Sequence, residues 1–482
     1  METNEVVIFG AGFGGVKIKR MLISMGYRVV AFCDNSEKKW GTIVDGLPIV
    51  PPHTLSEKNY SILVASAWEK EIIAQLAGVG LKERIVTRDH FTFDYLQRSA
   101  DRYADLAGAK AQNAKVTYVF ALDYAMADGG VESWSYVIAD ELLKMGERVH
   151  FISDINPEIV PERFADMVST FDIAGEAYVE TLDRMIDHLI ALSPCVVIDS
   201  WQTMTMLACA IIKRYGPVET GKNTIIPCLI GIIHNSLPRL YETVSAFAGS
   251  YDYACAVGRE LSEHLVRDYA FPREKICYRP SPIIMREDFS SEARAYSTDP
   301  AAPIRIGYGA RLVKSQKRAD LLIPLIDGLV KNNVKFRLQI AGAGPLQETI
   351  RDYVRERRLE DSVEIKGLIP RDEMEAFWES QDVFINLSDY EGTSLSMLES
   401  MAAGCVPVVT DVTGVREFIT ENTGFICNLA SPDEFVEKLS ALSADREMMA
   451  QTGRNAAEYV RARCCPKDYA KHIVSLYKKC EE

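Results

Sequence analysis

The sequence predicts an α/β protein built from three consecutive Rossmann-like units. Strand-length apolar runs alternate with helix-period segments along the whole chain, the pattern of parallel sheets with crossover helices. Several of those runs end in glycine-containing loops that lead into helices. At 482 residues the chain is also too long for a single core.

The first unit, residues 1–95, opens with VVIFGAG (6–12) and continues with RVVAFCD (28–34) and YSILVAS (60–66). Residues 96–115 are polar and alanine-rich and read as a helical linker. The second unit, 116–298, carries VTYVFALD (116–123), RVHFIS (148–153), CVVIDS (195–200), TIIPCLIGIIH (224–234) and YACAVG (253–258). A helical piece such as WSYVIADELLKMG (134–146) lies between them. The proline-rich polar stretch after residue 280 reads as a connector. The third unit, 299–465, runs through IRIGYGARL (304–312), FRLQIAGAG (336–344), SVEIKG (362–367), DVFINLS (382–388), CVPVVT (405–410) and GFICNL (424–429). Residues 466–482 read as a C-terminal helix.

Composition narrows the class. With 48% hydrophobic and 25% charged residues the chain is ordinary globular protein, not disordered. A net charge of −14 argues against a nucleic-acid partner, yet leaves room for a local basic site facing a phosphorylated ligand. The 11 cysteines form no CxxC pair, and METNEVVIFGAG has no signal-peptide core. Reduced thiols and a cytoplasmic location are therefore expected. No apolar run reaches the 18 or so residues of a membrane helix. A local patch can still dock such a chain on the inner membrane leaflet.

Gly10-Ala11-Gly12-Phe13-Gly14-Gly15 fits GxGxxG, after a strand and before a helical segment. Glycines there make a tight turn and let backbone N–H groups approach a diphosphate at a helix start. Asp34 lies 19 residues beyond Gly15, at the end of the next strand, where an acid can bind ribose hydroxyls. Gly10, Gly12, Gly15 and Asp34 are thus a candidate site for a nucleotide, a nucleotide sugar or NAD; the alternative is a turn that binds nothing. The stretch FCDNSEKKWGTIVDGLPIVPP (32–52) resembles the N-terminal domain of sialic-acid-type acetyltransferases. That resemblance implies nucleotide-sugar binding.

Six loops of the later units carry candidate chemistry. The third unit begins with a strand ending in Arg311, then a short polar loop to Lys317; both can clamp a diphosphate, the Arg through its forked donors. Gly342, in IAGAGP, closes the next strand. In EGTSLSMLE (391–399), Glu391 falls in the loop after a buried strand and Glu399 on the following helix. Thr393, Ser394 and Leu395 stand at the start of that helix. Two carboxylates at the carboxyl end of parallel strands suit a hydroxyl-rich ligand. In the second unit, Gly129 and Gly130 precede a helix, and His234 follows a strand. A tight turn and a packed core histidine are the plainer readings of these two. Asp411, Gly414 and Glu417 form another strand-end loop.

These motifs together resemble family 4 retaining glycosyltransferases, which have the two-domain GT-B fold. The matching stretches are GARLVKSQKRADLLI, IAGAGP, EGTSLSMLESMAAGCVPVVTDVTGVREFI and TGFI, with DGGVE (128–132) and IIHNS (232–236) in the second unit. The connector departs from the family's usual Asn-Gly-Val, reading Pro280-Ser281-Pro282-Ile283. The resemblance implies a GT-B module whose acceptor domain is 116–298 and donor domain 299–465, with 466–482 returning to the acceptor domain. It implies that Arg311 and Lys317 hold the diphosphate of a nucleoside-diphosphate sugar, most simply a UDP-sugar. Glu399 would bind the ribose, Glu391 the sugar ring, and the N–H groups of Thr393, Ser394 and Leu395 the phosphates. His234 would sit near the sugar, with Gly129, Gly130 and Gly342 giving room. It implies a glycan or lipid-linked acceptor and no cofactor for transfer. No DxD and no His/Asp cluster with ligand spacing is present, so no catalytic metal is expected.

Two other classes compete. An NAD-dependent sugar-nucleotide oxidoreductase or epimerase would use the first glycine loop, but it leaves the glutamates and Arg311/Lys317 unexplained. It also lacks a Tyr-x-x-x-Lys pair, since Tyr103 and Tyr269 are followed four residues on by Ala107 and Arg273. A non-catalytic sugar-nucleotide-binding protein would keep the same residues without turnover.

Overall fold

The computed structural model describes residues 5–481 apart from 67, 112, 114, 123–128, 155–160, 174, 176, 218–223, 287, 293 and 429–430. Asp123, Asp128 and Leu429, which end or flank three of the motifs above, lie outside the described residues.

Three α/β layers follow one another, as the alternation predicts. The first sheet holds β1 (Glu5–Phe9), β2 (Arg28–Cys33), β3 (Ile43–Val44), β4 (Leu47–Val50) and β5 (Ser61–Val64), in the order β3-β4-β2-β1-β5. The second holds β6 (Thr117–Ala121), β7 (Arg148–Asp154), β8 (Val168–Phe171), β9 (Cys195–Asp199), β10 (Cys228–Ile233), β11 (Tyr253–Ala256) and β12 (Ile276–Tyr278). The third holds β13 (Ile304–Gly309), β14 (Phe336–Ala341), β15 (Val363–Gly367), β16 (Val383–Asn386), β17 (Val406–Thr410) and β18 (Phe425–Cys427). Their orders, β12-β11-β10-β9-β6-β7-β8 and β15-β14-β13-β16-β17-β18, both reverse direction beside the first strand of the unit. Ligands bind at such switch points, beyond the carboxyl ends of the strands. The strands are apolar on both faces because helices cover both; β6, β9, β10 and β17 are buried at every position.

The hairpin β3–β4 has a local cause. Asp45 and Gly46 connect the strands with φ of 47° and 78°, and Val44 pairs with Leu47. An Asp-Gly pair with positive φ at both positions is the two-residue turn whose twist matches a hairpin. Of residues 96–115, only the first three continue the helix Arg88–Arg98, and Ala104–Gly108 form a short 3₁₀ turn. The segment is therefore not one helix; it is held by tertiary contacts. The Arg102 guanidinium pairs with Asp183, the Tyr103 hydroxyl donates to Asp183 at 2.9 Å, and the Tyr215 hydroxyl donates to the Leu96 carbonyl.

These contacts bind the first unit to the second. The Phe93 and Phe247 rings lie 4.8 Å apart, Arg88 donates to Thr203 at 2.8 Å, and one apolar core runs through both units. The third unit has its own core. From it the helix Pro466–Cys480 crosses back and packs on helix Gly130–Lys144 of the second unit. None of the eleven cysteines is in a disulfide. Among the described residues, no helix is long and apolar enough to cross a membrane.

The glycines of the first loop divide by their surroundings. A Cβ at Gly10 would meet the Ala65 carbonyl oxygen at 2.3 Å, and one at Gly15 would meet the Gly10 carbonyl oxygen at 2.0 Å. A Cβ at Gly12 or Gly14 would meet nothing within 4 Å. Gly10 and Gly15 therefore let helix and strand pack, whereas Gly12 faces open space. Gly15→Ala is expected to destabilise the first unit by about 2 kcal/mol or more, read as a lower thermal midpoint, while Gly12→Ala leaves the midpoint unchanged.

Candidate active site

The strand β16 ends in Leu387-Ser388-Asp389-Tyr390-Glu391-Gly392, and the helix Leu395–Ala402 follows. Ser394 caps the helix, its hydroxyl accepting from the Met397 N–H at 3.3 Å. Leu398, Met401 and Ala402 face the core, which turns Glu399 toward the cleft side. Glu391 and Glu399 thus leave the same strand–loop–helix element at two heights.

Each glutamate has one cation. Glu391 is 8% exposed, and its Oε1 accepts from Lys317 Nζ at 2.5 Å and from the Ser388 hydroxyl at 2.7 Å. Glu399 accepts from Arg371 at 2.5 Å. Burial raises the Glu399 carboxyl above its ordinary 4.5, against the opposing pull of Arg371. A cavity of about 440 Å³ opens beside it, lined by Arg371, Trp378, Ala402 and, from the second unit, Arg163.

The loop after β13 carries the remaining cations. Lys317 reaches Glu391, and Arg318 reaches Asp320 and Asp389. Gln316 and Arg318 hold positive φ, 62° and 46°, and Asp389 N–H donates to the Gln316 carbonyl at 2.7 Å. Arg311 is exposed and touches Gln316 Oε1 at 3.1 Å, with no ion-pair partner among the described residues. The loop therefore presents one uncommitted guanidinium beside a compensated Lys–Glu pair. A Cβ at Gly342 would meet the Ala310 carbonyl oxygen at 2.0 Å. Gly342 is needed for two strand ends to touch, whatever else it faces.

The second unit supplies the opposite wall. A Cβ on Gly392 would lie 2.0 Å from the His234 carbonyl oxygen, so the two units meet backbone to backbone there. Thr393 donates to the Val257 carbonyl at 3.4 Å, and Arg259 N–H donates to Glu417 at 3.1 Å. Gly414 backs the same loop, its Cβ position 2.3 Å from the Gly392 carbonyl oxygen. Asp411 pairs instead with Arg416. Gly129 caps the helix Gly130–Lys144, and a Cβ at Gly130 would come within 3.6 Å of Leu395. Two helix starts therefore face one another across the cleft. His234 lies at the end of β10, edge-on to Trp134 at 5.2 Å, with Nε2 3.3 Å from the Ser200 hydroxyl. Burial holds its pKa down at about 4, so the ring is neutral at neutral pH.

In the first unit Asp34 is already engaged. It accepts from Lys39 Nζ at 2.7 Å, the Ser36 N–H at 2.9 Å and the Ala11 N–H at 3.3 Å. Burial opposes ionisation, but these donors outweigh it and lower its pKa. The carboxylate ties the glycine loop to β2.

The structure thus brings Glu391, Lys317, Arg311, Thr393, Ser394, Leu395, Gly130 and His234 to one cleft, with Glu399 on its rim. Gly10, Gly12, Gly15 and Asp34 form a separate loop in the first unit. Arg371, Ser388 and Gly392 went unnoticed in the sequence. Arg371 lies in a 3₁₀ turn 28 residues before Glu399, and no spacing rule links the two. Gly392 could have been suspected, because a glycine directly after a strand-end acid often marks close backbone approach.

The second and third units have the GT-B fold of glycosyltransferases. The structure of Anabaena Alr3699/HepE in complex with UDP and glucose superposes with a TM-score of 0.59 over 75% of this chain and 99% of its own, at 13% identity. In sequence, residues 291–459 match the family described as glycosyl transferases group 1, and residues 2–87 match the model described as C2185-like, N-terminal. WcaL of Escherichia coli K12, provisionally named a colanic acid biosynthesis glycosyltransferase, is 30% identical over 198 residues, 39% of this chain and 47% of that protein. The poly(ribitol-phosphate) alpha-N-acetylglucosaminyltransferase of Staphylococcus aureus is 28% identical over 159 residues, 32% of this chain and 31% of that protein. The chain spans less than half the length of these two relatives.

Two expectations test the electrostatics. Lys317→Ala leaves Glu391 buried without its cation and is expected to cost about 3 kcal/mol in denaturant unfolding. Adding Glu391→Gln to that variant recovers most of the loss, because no buried charge then remains unpaired. Second, His234 and His150 both have folded pKa values near 4, His150 through burial, His188 and Arg148. The unfolded chain takes up protons at about 6.5, before the folded one does. Stability should therefore fall as pH drops from 6.5 to 4, with a shallower slope in His150→Asn, measured as the thermal midpoint against pH.

Proposed function

We propose that this chain is a retaining glycosyltransferase that moves a sugar from a nucleoside-diphosphate sugar, a UDP-sugar first, to a glycan or lipid-linked acceptor. The single observation that carries the reading is the double ion pair on one strand–loop–helix element, Lys317–Glu391 in the cleft and Arg371–Glu399 on its rim. Glu399 accepts from the ribose hydroxyls beside the 440 Å³ cavity. Glu391 orients the sugar ring and stabilises the positive charge that develops on it. Arg311 and Lys317 hold the diphosphate, and the helix start at Thr393–Leu395 adds N–H donors and dipole.

Transfer is a same-face substitution. The acceptor oxygen bonds to the anomeric carbon as the bond to the leaving phosphate breaks. The acceptor's proton passes to a phosphate oxygen. Fixed cations and N–H groups stabilise the departing diphosphate without a catalytic metal or a cofactor. The neutral His234 donates or accepts a hydrogen bond near the sugar, without adding charge. Retention is supported by the alpha linkage in the name of the S. aureus relative, and UDP by the ligand of the Anabaena neighbour. WcaL's name supports a role in polysaccharide synthesis; we infer a cytoplasmic reaction, with peripheral contact at the inner membrane leaflet where the acceptor is lipid-linked. The first unit is the position for a second nucleotide or nucleotide sugar, a reading supported by the open space at Gly12 and Gly14.

The test is transfer and donor hydrolysis across UDP-, GDP-, ADP- and dTDP-sugars. Lys317→Ala is expected to lower kcat about 100-fold or more, and Glu399→Ala to raise the donor KM. Donor affinity should weaken on acidification at a pH above 4.5, since Glu399 must be ionised to accept from the ribose. Binding of a donor without turnover would replace the enzyme by a sugar-nucleotide-binding protein, and binding of no donor would sink both.

A further inference from the structure

The C-terminal helix Pro466–Cys480 lies over the edge of the second sheet formed by β11 and β12. Beneath it, Cys255 of β11 and Cys277 of β12 are in-register neighbours. His472 comes from the helix above. One ligand atom from each of the three side chains lies within 4.8 Å of the other two. Cys255 is fully buried, and His472 Nε2 is shielded from solvent with no hydrogen-bond partner. Tyr469, one turn earlier on the helix, places its hydroxyl 3.2 Å from Cys255 Sγ.

We propose that Cys255, Cys277 and His472 bind a zinc ion that fastens the C-terminal helix to the second unit. In-register residues on neighbouring strands stand about 4.7–4.9 Å apart, so the two side chains leave the sheet side by side. Two sulfurs on one tetrahedral zinc lie about 3.8 Å apart, given Zn–S bonds of about 2.3 Å. Both cysteines are free thiols, and their sulfurs together with the His472 ring lie close enough to share one ion. Thiolate and imidazole select a soft or borderline metal over magnesium or calcium. Two thiolates and a neutral imidazole cancel the charge of Zn²⁺, so the filled site carries no net charge into the interior. Binding releases two thiol protons to solvent. The fourth position falls to water, next to the Tyr469 hydroxyl.

A second cluster, Cys480 at the end of the same helix with Cys228 of β10 and Asp252 before β11, has the same compactness but different chemistry. Asp252 already accepts from Lys213 Nζ and from the Leu229 N–H at 2.7 Å. A metal there would have to displace a cation, so this cluster serves as the control.

The zinc site has a line of contact to the cleft. Tyr469 packs edge-on against Trp134 at 5.3 Å, and Trp134 packs edge-on against His234 at 5.2 Å. The helix that the metal holds is thus the backing of the histidine wall.

The test uses the full chain, purified under reducing conditions, stripped with a chelator and titrated with Co²⁺ and Zn²⁺. One equivalent should bind, with a thiolate-to-cobalt charge-transfer band that zinc abolishes, and zinc should raise the thermal midpoint of the stripped protein. Cys277→Ser and His472→Gln should each lower the bound metal at least tenfold, while Cys480→Ser leaves stoichiometry and band unchanged. Circular dichroism of each variant confirms that it folds. Should no variant-sensitive equivalent bind to the folded chain, or should Cys480→Ser remove the band while Cys277→Ser keeps it, the assignment is wrong. These readouts need no sugar donor, so they stand apart from the glycosyltransfer reading.

Discussion

The backbone of Gly392 rests on the backbone of His234, and the geometry of the cleft follows from that contact. No side chain fits between them, so the loop after β16 is pressed against the end of β10. Glu391 on one side of Gly392 and Thr393 on the other are thereby set to within one residue's travel. The rigid strands on each side, buried and paired along their length, keep the distance. A cleft formed in this way has one wall from each unit. Moving one unit relative to the other must break the contacts of Gly392, Thr393 and Glu417 together.

Within the cleft, charge is arranged so that burial is tolerable. A charged carboxylate as shielded as Glu391 is costly to bury without a partner. Lys317 and Ser388 both donate to its Oε1 and hold it in place. Arg318 is consumed by Asp320 and Asp389, whereas Arg311 and Lys314 of that loop have no carboxylate partner among the described residues and can meet a ligand. The glutamate on the helix is treated differently. Its single partner, Arg371, comes from an exposed turn, and burial raises its pKa. A ligand hydroxyl can share Glu399 with Arg371, whereas Glu391 already has two donors on one oxygen.

The first unit shows how little a motif says about its own use. GxGxxG and Asp34 were readable because glycine spacing, a strand before and an acid after are all local. The structure divides the same residues by function in packing. Gly10 and Gly15 are filled from outside by backbone oxygens, Gly12 is open, and Asp34 is spent on Lys39 and two N–H groups. The hairpin at Asp45-Gly46 was written in the chain as plainly as the glycine loop, yet its strands are too short to stand out by apolar run. The stretch 96–115 misled through its alanine content. Helix propensity there is overridden by contacts of Arg102 and Tyr103 with Asp183, which hold an irregular path.

By itself the sequence determined the three mostly parallel sheets, their chain order and the loops at their carboxyl ends, because alternation of apolar strands and amphipathic helices is a local property. It also determined that Glu391 sits on a loop and Glu399 on a helix, since eight residues of helical spacing cannot read otherwise. Tertiary structure decided the partners. Lys317 meets Glu391 across 74 residues, and Arg371 meets Glu399 across 28. Cys255, Cys277 and His472 converge from two strands and a distant helix. Charge pairing and metal ligation depend on distances of a few ångströms between elements, and nothing in residue order encodes those distances until the sheets have packed.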